Sequence, residues 1–424
     1  MLNLRLILDW TLYRLALLLA AALIPLRLLW RGRRERGYWR HWGERLALGP
    51  APVNGALWVH AVSVGEMRAA QPLINALRSA HPGVPVLLSC MTPTGRATAE
   101  ALYGDFARIV YLPYDYAGSM RRFMRRLRPR VGILMETELW PNLIHAAARA
   151  GVPLVLANAR LSERSARGYA RLPALTRACL QRIAVVAAQT DADAARLKKL
   201  GAASPQVAGN LKFDIAPPPA QLKRGAAWRQ RWGQRPVLLA ASTREGEEAP
   251  LLRAFAASAP AEVLLVLVPR HPQRFDEVAR LIEAAGLPYQ RRGTLDGELE
   301  AQTRVLLGDS LGELFAYYAA CDVAFVGGSL APLGGQNLIE AASVGRPVLV
   351  GPHTFNFEEA TRLAIEAGAA RRVNDAEALM TNALKLLNDT PARARMSEAG
   401  LAFAARHRGA AARVEGLVSP LLKA

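Results

Sequence analysis

With 424 residues, 51% of them apolar, the chain is too long for one ordinary hydrophobic core and too apolar for a disordered protein, so two domains are expected. Its 54 lysines and arginines against 35 acidic residues give a formal net charge of +19, which favours anionic partners, but nucleic acid is disfavoured because no helix-turn-helix, zinc-finger or aromatic-interleaved RNA motif is present. Three widely spaced cysteines in largely apolar surroundings argue against a disulfide framework and a metal cluster, and they indicate a reducing, cytoplasmic compartment.

The N-terminal stretch is a short hydrophobic segment followed by a basic turn. Leu15–Ile24 is wholly apolar, a few polar residues interrupt the wider stretch Leu4–Trp30, and five arginines lie between positions 27 and 36. A bilayer core needs roughly 20 apolar residues, so the segment either spans with Arg14 and Arg27 at opposite interfaces or lies on the surface as a monotopic helix. We predict a membrane anchor over residues 1–30, with a single pass favoured over the monotopic form. The alternatives are a secretory signal, which lacks a cleavage site here, and a buried helix of a soluble protein.

The positive charge that follows the anchor predicts that the body of the protein lies in the cytoplasm. Arginines at positions 121 to 130 flank Phe123, Met124 and Leu127, a pattern typical of a basic amphipathic helix that contacts anionic lipid headgroups. A helix with a solvated basic face is the alternative.

Short apolar runs then alternate with helical segments, which predicts two doubly wound α/β domains with parallel sheets. The segment Ala216–Pro219 is a stiff linker, so we expect an N-terminal Rossmann-like domain over 31–216 and a C-terminal Rossmann-like domain over 217–424. Ligands of such sheets lie outside the carboxyl ends of the strands, and a cleft between the domains is expected to hold the active site. The predicted strands are Ala56–His60, Val84–Ser89, Arg108–Tyr111, Val131–Met135, Leu154–Ala157 and Val185–Ala188, then Val237–Ala240, Val263–Val268, Val305–Leu307, Val323–Val326 and Val348–Val350.

In the first half, polar groups follow several strands. Glu66 ends the motif Ser63–Glu66 at a strand-to-helix turn, where a carboxylate either serves catalysis or simply stabilises the helix N-terminus. The loop Met135–Asn142 adds Glu136 and Glu138 at the end of the next strand. Asn158–Ser162 and Gly209–Asp214 supply further polar and cationic groups, among them Lys212.

In the second half, Ser242 and Thr243 are expected to cap a helix whose free N–H groups, with Arg244 beside them, bind phosphate. Pro269–Pro272 ends an apolar strand with Arg270, and its alternative is an ordinary basic turn. Glycines at 327, 328, 334 and 335 allow a ligand to approach the backbone, and Glu340 is placed to accept hydrogen bonds from a ribose. No GxGxxG motif or P-loop is present, which disfavours dinucleotide oxidoreductases and NTPases.

Taken together, five motifs in this order closely resemble the 3-deoxy-D-manno-octulosonic acid (Kdo) transferases of bacterial lipopolysaccharide synthesis. The resemblance covers nearly the whole chain, and Ile339 stands at a position expected to vary. The five motifs are Ser63–Glu66, Met135–Asn142, Gly209–Asp214, Pro269–Pro272 and Asn337–Glu340.

The resemblance implies a GT-B fold, CMP-Kdo as the donor and a lipid A precursor, tetraacyldisaccharide bisphosphate (lipid IVA), as the acceptor at the inner face of the bacterial inner membrane. It also implies that the N-terminal domain binds the acceptor and that the C-terminal domain binds the CMP-sugar. It implies inversion at the anomeric carbon without a metal or other cofactor. By resemblance Glu66 is the general base, and Glu136 and Lys212 stabilise the transition state. The implied CMP contacts are Pro269, Arg270, Leu311, Gly312, Glu313, Asn337, Leu338, Ile339 and Glu340.

The residues themselves leave two other functions open. One is a GT-B enzyme that uses a UDP-sugar, such as a peptidoglycan N-acetylglucosaminyltransferase or a related epimerase. The other is a non-catalytic, membrane-bound protein that binds a nucleotide sugar, although such a protein has no need for Glu66, Glu136 and Lys212 to converge.

Overall fold

The computed structural model describes residues 2–49, 53–295 and 297–423, and its chain divides into two compact units. The first comprises the residues up to Asp214 and those from Arg408 onward, and the second is Ile215–His407. Each unit is built around a seven-stranded parallel sheet with helices packed against it, so the predicted α/β fold with two Rossmann-like domains is confirmed.

The first unit has β4 at the centre of its sheet, with β1 beside it, in the strand order β3-β2-β1-β4-β5-β6-β7. All of β1 and β4 is buried because apolar side chains cover both faces of the sheet. The strands are β1 Leu57–His60, β2 Val86–Cys90, β3 Ala107–Tyr111, β4 Val131–Met135, β5 Leu154–Ala159, β6 Val185–Ala188 and β7 Gln206–Val207. The helices are α1 Leu2–Arg34, α2 Trp42–Arg45, α3 Val64–Ala69, α4 Gln71–Ala80, α5 Pro93–Tyr103, α6 Ala117–Leu127, α7 Pro141–Arg149, α8 Glu163–Tyr169, α9 Pro173–Leu180 and α10 Asp191–Leu200.

The second unit has β8 at the centre, in the order β10-β11-β9-β8-β12-β13-β14. Its strands are β8 Val237–Thr243, β9 Leu264–Pro269, β10 Tyr289–Arg291, β11 Val305–Leu307, β12 Val323–Val326, β13 Val348–Val350 and β14 Ala370–Arg372. Its helices are α11 Pro219–Arg231, α12 Glu248–Ser258, α13 Phe275–Ala284, α14 Leu314–Ala320, α15 Leu338–Ser343, α16 Glu358–Glu366, α17 Ala376–Asn388 and α18 Thr390–His407. Short 3-10 helices cover Arg36–Trp39, Leu211–Phe213, Pro272–Arg274 and Arg292–Thr294.

The last helix, α19 Ala410–Lys423, returns to the first unit. Its apolar face, including Val414, Val418 and Leu422, is buried in the same core cluster as β1 and α4. The second domain expected over 217–424 therefore differs from the second unit at its C-terminal end, because the apolar face of α19 is covered by the first sheet.

Helix α1 is held against the first unit along its N-terminal half. Asp9 is buried and accepts hydrogen bonds from the backbone N–H groups of Ala174 and Leu175, at 2.9 and 3.1 Å. The hydroxyl of Tyr13 donates to Asp115 at 2.7 Å, and that of Tyr116 donates to the carbonyl of Leu17 at 2.9 Å.

The opposite side of α1 exposes many large apolar side chains, among them Leu19 and Leu23, which are 75% and 64% accessible. Within the described ranges, no single helix is both long and apolar enough to cross a membrane. Two parts of α1, Leu4–Ala21 and Leu23–Arg33, meet at a bend of 45° and together have the length and composition of a span.

Helix α6 is amphipathic, and its apolar face is covered by the protein itself. Phe123, Met124 and Leu127 are buried in the core of the first unit, and the Phe123 ring meets Trp58 edge-on at a centroid distance of 5.3 Å. These apolar side chains are therefore not available to lipid, since they pack on the sheet. The arginines remain on the outer side, and Arg126 donates to the carbonyl of Gly49 at 2.8 Å.

Candidate active site

Glu66 lies in the first turn of α3, directly beyond the carboxyl end of β1. Ser63 is the N-cap of this helix and its hydroxyl oxygen accepts from the backbone N–H of Glu66 at 3.3 Å. The Glu66 carboxylate in turn accepts from the Ser63 hydroxyl and from the backbone N–H of Val62, both at 2.8 Å. This reciprocal capping holds the carboxylate at the strand-to-helix turn.

The surroundings of Glu66 suit a proton acceptor. Burial raises the pKa of its carboxyl above the usual range, although the hydrogen bonds from Val62 and Ser63 act in the opposite direction. The nearby Glu136 raises that pKa further, and the ammonium group of Lys212 lowers it. Three predicted catalytic groups thus interact electrostatically within one unit of the chain.

Glu136 follows β4 with a backbone φ of 56°, a left-handed conformation that non-glycine residues rarely adopt. Its N–H donates to the carbonyl of Ala157 at 2.9 Å, so the turn is tied to the neighbouring strand β5. Such a conformation costs of order 1–3 kcal/mol and persists where the surrounding structure enforces it. In this conformation the Glu136 carboxylate interacts electrostatically with Lys212 and Glu66.

Lys212 lies in the 3-10 helix Leu211–Phe213, which two asparagines hold. The side-chain oxygen of Asn158 accepts from the N–H of Leu211, and that of Asn210 accepts from the N–H of Lys212, each at 3.0 Å. Burial lowers the pKa of the Lys212 ammonium, whereas the carboxylates of Glu136 and Glu66 raise it. A largely buried ammonium group is well suited to stabilise negative charge that develops during a reaction.

Glu138, in the same loop as Glu136, is a further member of this cluster. Burial raises the pKa of its carboxyl to about 7, and the negative charges of Glu66 and Glu136 contribute to the rise. Part of the Glu138 population is therefore protonated at neutral pH. The sequence shows Glu138 at a strand end, but it does not show that burial raises the pKa of this carboxyl.

In the second unit, the expected helix cap at Ser242 and Thr243 is not found. Both residues belong to the end of β8, where Ser242 has a φ of 56°, and α12 begins only at Glu248 after Glu247 as its N-cap. The backbone N–H of Arg244 is bound by the carboxylate of Glu247 at 2.9 Å. One backbone N–H of this loop, that of Arg244, is therefore taken by an internal carboxylate, and the helix cap expected at Ser242 and Thr243 is replaced by Glu247 at the start of α12.

Cationic side chains nevertheless gather beside this loop. Arg244 lies against Gly328, where a Cβ atom added to the glycine would be 3.5 Å from the Cγ of the arginine. Arg270 follows β9 and its Nε donates to Gln336 at 3.3 Å, while its backbone N–H donates to Thr243 at 2.9 Å. The pKa of His271 is lowered, first by burial and then by the positive charges of Arg244, Arg270 and Arg274. These three arginines therefore lie near His271 in the second unit.

Glu247 connects the loop after β8 with the loop after β12, and its side chain is only 1% accessible. Besides Arg244, its oxygens accept from the backbone N–H groups of Gly328 at 2.6 Å and of Ser329 and Leu330 at 2.9 Å. A buried carboxylate is tolerated here because several N–H groups replace its hydration. It fixes the glycine-rich loop after β12 against the loop after β8.

The turn Leu311–Glu313 lies on the surface before α14. Leu311 is 70% accessible, and the carbonyl of Gly312 accepts from the Gln221 side chain at 2.7 Å. The carboxylate of Glu313 pairs with Arg224 at 2.7 Å and with Arg292 at 3.6 Å. The carboxylate is thus engaged by arginines of its own unit.

The motif Asn337–Glu340 forms the start of α15. Asn337 is the N-cap, with its oxygen accepting from the N–H of Ile339 at 3.1 Å and its amide donating to Glu340 at 3.2 Å. The side chains of Leu338 and Ile339 are buried. Asn337 and Glu340 are therefore the members of the motif with partly accessible polar side chains.

No group of three or more His, Cys, Asp or Glu side chains that could hold a metal ion occurs among the residues described by the structure. The three cysteines are free thiols and all are buried.

Both halves of the chain are similar to known glycosyltransferases. Residues 40–215 match the family model described as 3-deoxy-D-manno-octulosonic-acid transferase, and residues 292–403 match the glycosyl transferases group 1 model. A 3-deoxy-D-manno-octulosonic acid transferase of Bordetella pertussis is 50% identical over 416 residues, which cover 95% of this chain and 96% of the relative. The chain belongs to the Kdo transferase family.

A second relative supports the same family, and a solved structure supports the fold. The 3-deoxy-D-manno-octulosonic acid transferase of Haemophilus influenzae is 40% identical over 379 residues, 88% of each chain. The UDP-GlcNAc 2-epimerase of Neisseria meningitidis is 16% identical with a TM-score of 0.55, over 86% of this chain and all of its own. The predicted GT-B class of this Kdo transferase is confirmed, whereas so distant a likeness says nothing of its substrate.

We expect Glu247→Gln in this Kdo transferase to lower the free energy of unfolding by about 1–3 kcal/mol, because an amide NH₂ would face backbone N–H donors that need an acceptor. Urea denaturation followed by circular dichroism measures the change. Glu245→Gln is the control, since that side chain is exposed in the same loop. Equal denaturation midpoints for the two variants would show that the glycine-rich loop does not depend on the carboxylate.

Proposed function

We propose that this protein is an inverting glycosyltransferase that moves Kdo from CMP-Kdo to a lipid A precursor, tetraacyldisaccharide bisphosphate, in lipopolysaccharide biosynthesis. The observation that carries the proposal is the cluster of Glu66, Glu136 and Lys212, which lies within the residues that match the Kdo transferase family model. Its relatives from Bordetella pertussis and Haemophilus influenzae are named for Kdo transfer.

In the proposed reaction, Glu66 takes the proton of an acceptor hydroxyl as the oxygen attacks the anomeric carbon of Kdo. The bond from that carbon to the CMP phosphate breaks, and its electron pair leaves with CMP. A raised pKa makes Glu66 a stronger base than an ordinary carboxylate. The carboxylate of Glu136 stabilises positive charge at the anomeric centre, and the Lys212 ammonium stabilises negative charge that develops on the departing group.

The second unit is proposed to bind the CMP part of the donor. Arg244 and Arg270 supply positive charge for the phosphate, beside the backbone at Ser242 and Pro269. Asn337 and Glu340 offer polar groups to the ribose or base, whereas Leu338 and Ile339 contribute by supporting the helix from the core. Contacts from Leu311, Gly312 and Glu313 complete the proposed donor site, for which no metal or other cofactor is expected.

Donor discrimination tests the function. The full-length enzyme is incubated with the tetraacyl acceptor and either CMP-Kdo or UDP-N-acetylglucosamine, and nucleotide release is followed. We expect acceptor-dependent release of CMP and no acceptor-dependent release of UDP. Turnover of UDP-N-acetylglucosamine, with none of CMP-Kdo, would reject the proposal. It would favour an enzyme that acts on a UDP-sugar.

We propose that α1 keeps the enzyme at the cytoplasmic face of the bacterial inner membrane as a monotopic helix. The contacts of Asp9, Tyr13 and Leu17 with the first unit support this form over a single pass, because a spanning helix would have to give them up. The exposed leucines would enter the headgroup and acyl boundary. The arginines on the outer side of α6 would attract anionic lipid, each by about 1 kcal/mol near the surface.

We expect Leu19→Asp combined with Leu23→Asp to release the enzyme from vesicles of phosphatidylethanolamine and phosphatidylglycerol, because two carboxylates would enter the apolar layer. Co-sedimentation measures the bound fraction. Leu401→Asp, at a 48% accessible leucine of α18, is the control and should bind as the parent does. Full binding of the double variant would contradict attachment through α1.

A further inference from the structure

The turn that carries Lys212 is attached to the C-terminal helix. Asp214 directly follows the 3-10 helix Leu211–Phe213, and its backbone N–H donates to the carbonyl of Leu211 at 3.1 Å. Its two carboxylate oxygens accept from the backbone N–H groups of Gly409 and Ala411, at the start of α19. One residue therefore ends the Lys212 turn and caps a helix that begins almost 200 positions later in the chain.

Asp214 is well suited to that second role. The first N–H groups of an α-helix have no partner within the helix, and a carboxylate that accepts from them is favoured by the helix dipole as well. In α19 this acceptor does not come from the residue before the helix but from the Lys212 turn. The position of the turn is thereby linked to the position of α19.

Packing on α19 reinforces the link. The side chain of Leu211 is fully buried in the same core cluster as Ala410, Ala411 and Val414. The Nε of Arg413 donates to the carbonyl of Ala208 at 2.7 Å, three residues before the 3-10 helix begins at Leu211.

Gly209 shows how closely the two segments approach. It has a φ of 87°, and a Cβ atom there would lie 3.0 Å from Nη2 of Arg413 and 3.6 Å from the Cβ of Ala410. A glycine at this position lets the chain turn toward Lys212 while it stays in contact with α19.

The sheet holds the opposite side of the turn. Asn158, fully buried with a φ of 55°, accepts from the N–H of Leu211, and its own carbonyl accepts from Gln189 at 2.9 Å. The Lys212 turn thus lies between β5 and α19, with a side-chain acceptor on each side. Loss of either acceptor should make the turn that carries Lys212 more mobile.

We propose that α19, through Asp214, positions Lys212 for the transfer reaction. Asp214 is a positioning residue that does not touch the substrate, and the inference rests on the catalytic role proposed above for Lys212. A displacement of about 1 Å at a reacting group can cost on the order of 100-fold in rate. Helix α19 therefore helps to position a catalytic group of the first unit, in addition to packing on its core.

The test uses Asp214→Ala and Asp214→Asn in the full-length enzyme. Alanine removes both acceptors for the α19 N–H groups, whereas asparagine keeps one oxygen and remains a good helix cap. We expect kcat to fall roughly 10- to 100-fold for alanine and less for asparagine, with the affinity for CMP unchanged. Ser419→Ala is the control on the same helix, since it removes a 2.6 Å contact with His81 far from the turn and should leave kcat unchanged.

A double-mutant cycle with Lys212→Met distinguishes positioning from general destabilisation, with single-turnover rates measured at high enzyme concentration. If Asp214 acts through Lys212, Asp214→Ala has no further effect on the rate of the Lys212→Met enzyme. An equal fold-loss in both backgrounds would overturn the proposal, as would a native kcat for Asp214→Ala. If Asp214→Ala does not fold, the same cycle is measured with Asp214→Asn. Native turnover of Lys212→Met alone would reject the role of Lys212 itself, and with it any need to position this side chain.

Discussion

Replacing Glu66 by glutamine is expected to lower kcat by roughly 10²–10⁴-fold, because the amide cannot accept the proton of the acceptor hydroxyl. The glutamine side chain has the same shape as that of glutamate and can still make most of the capping contacts with Ser63 and Val62. The fold should therefore persist. Affinity for CMP, which the second unit is proposed to bind, should not change. Steady-state kinetics with CMP-Kdo and the tetraacyl acceptor, together with calorimetric titration of CMP, measure both quantities.

The pH profile gives a second readout for Glu66. Only the ionised carboxylate can act as a base, and burial raises its pKa. As the pH is lowered, kcat/KM should therefore begin to fall at a higher pH than it would with an exposed glutamate as the base. This acid limb should be absent in Glu66→Gln. Glu163→Gln is the control, because it lies exposed in the first turn of α8 after a serine cap. An acid limb that disappears in Glu138→Gln and persists in Glu66→Gln would assign the base to Glu138.

Replacing Lys212 by methionine is expected to lower kcat by roughly 10²–10³-fold, the loss typical of removing one preorganised group that stabilises transition-state charge. Methionine retains much of the apolar stem, so the change is mainly one of charge. Loss of the ammonium should also raise the pKa of Glu66, because that cation lowers it in the native protein. The acid limb of the residual activity should therefore move to higher pH.

The controls for Lys212 follow from its surroundings. Lys199→Met removes an exposed ammonium of the same unit and should be active as the parent. A Lys212→Met enzyme that loses CMP affinity while its single-turnover rate is unchanged would contradict a role in the chemical step. It would place the lysine in donor binding.

The central strands of both sheets could be predicted because they are continuous apolar runs buried on both faces, such as Val131–Met135 and Val323–Val326. The strands that sequence reasoning missed lie at or near the edges. Gln206–Val207 is exposed, and Tyr289–Arg291 and Ala370–Arg372 carry polar side chains. Short edge strands of this kind depend on pairing with a neighbour, so no local hydrophobic pattern indicates them.

The candidate site was predictable to the extent that its groups follow strand ends. Glu66 and Glu136 lie directly beyond β1 and β4, where a parallel sheet collects functional groups. Their charge interaction with Lys212 depends on Asn158 and on backbone conformations that the sequence does not display. The role of Glu247 was missed for a similar reason, since the run of polar residues after β8 gives no sign of which one turns inward.

Long-range partners were the least predictable part. Nothing in the sequence near Asp214 indicates that it caps a helix starting at Ala410, and the linker at Ala216–Pro219 suggested that the second domain continues to the end of the chain. The basic amphipathic pattern of α6 predicted contact with lipid headgroups, but it did not show that the apolar side chains of the helix lie in the protein core. Amphipathicity indicates that one face is covered and leaves open what covers it.

The most direct test of the proposed function is the mass of the lipid product. The full-length enzyme is incubated with CMP-Kdo and tetraacyldisaccharide bisphosphate, and the masses of the lipid products are measured by mass spectrometry. A parallel reaction with the Glu66→Gln variant is measured in the same way. We predict that the parent adds one or more whole Kdo units to the acceptor and that the variant leaves it almost unmodified. An acceptor of unchanged mass in the parent reaction, with CMP-Kdo intact and the enzyme folded, would contradict Kdo transfer by this protein.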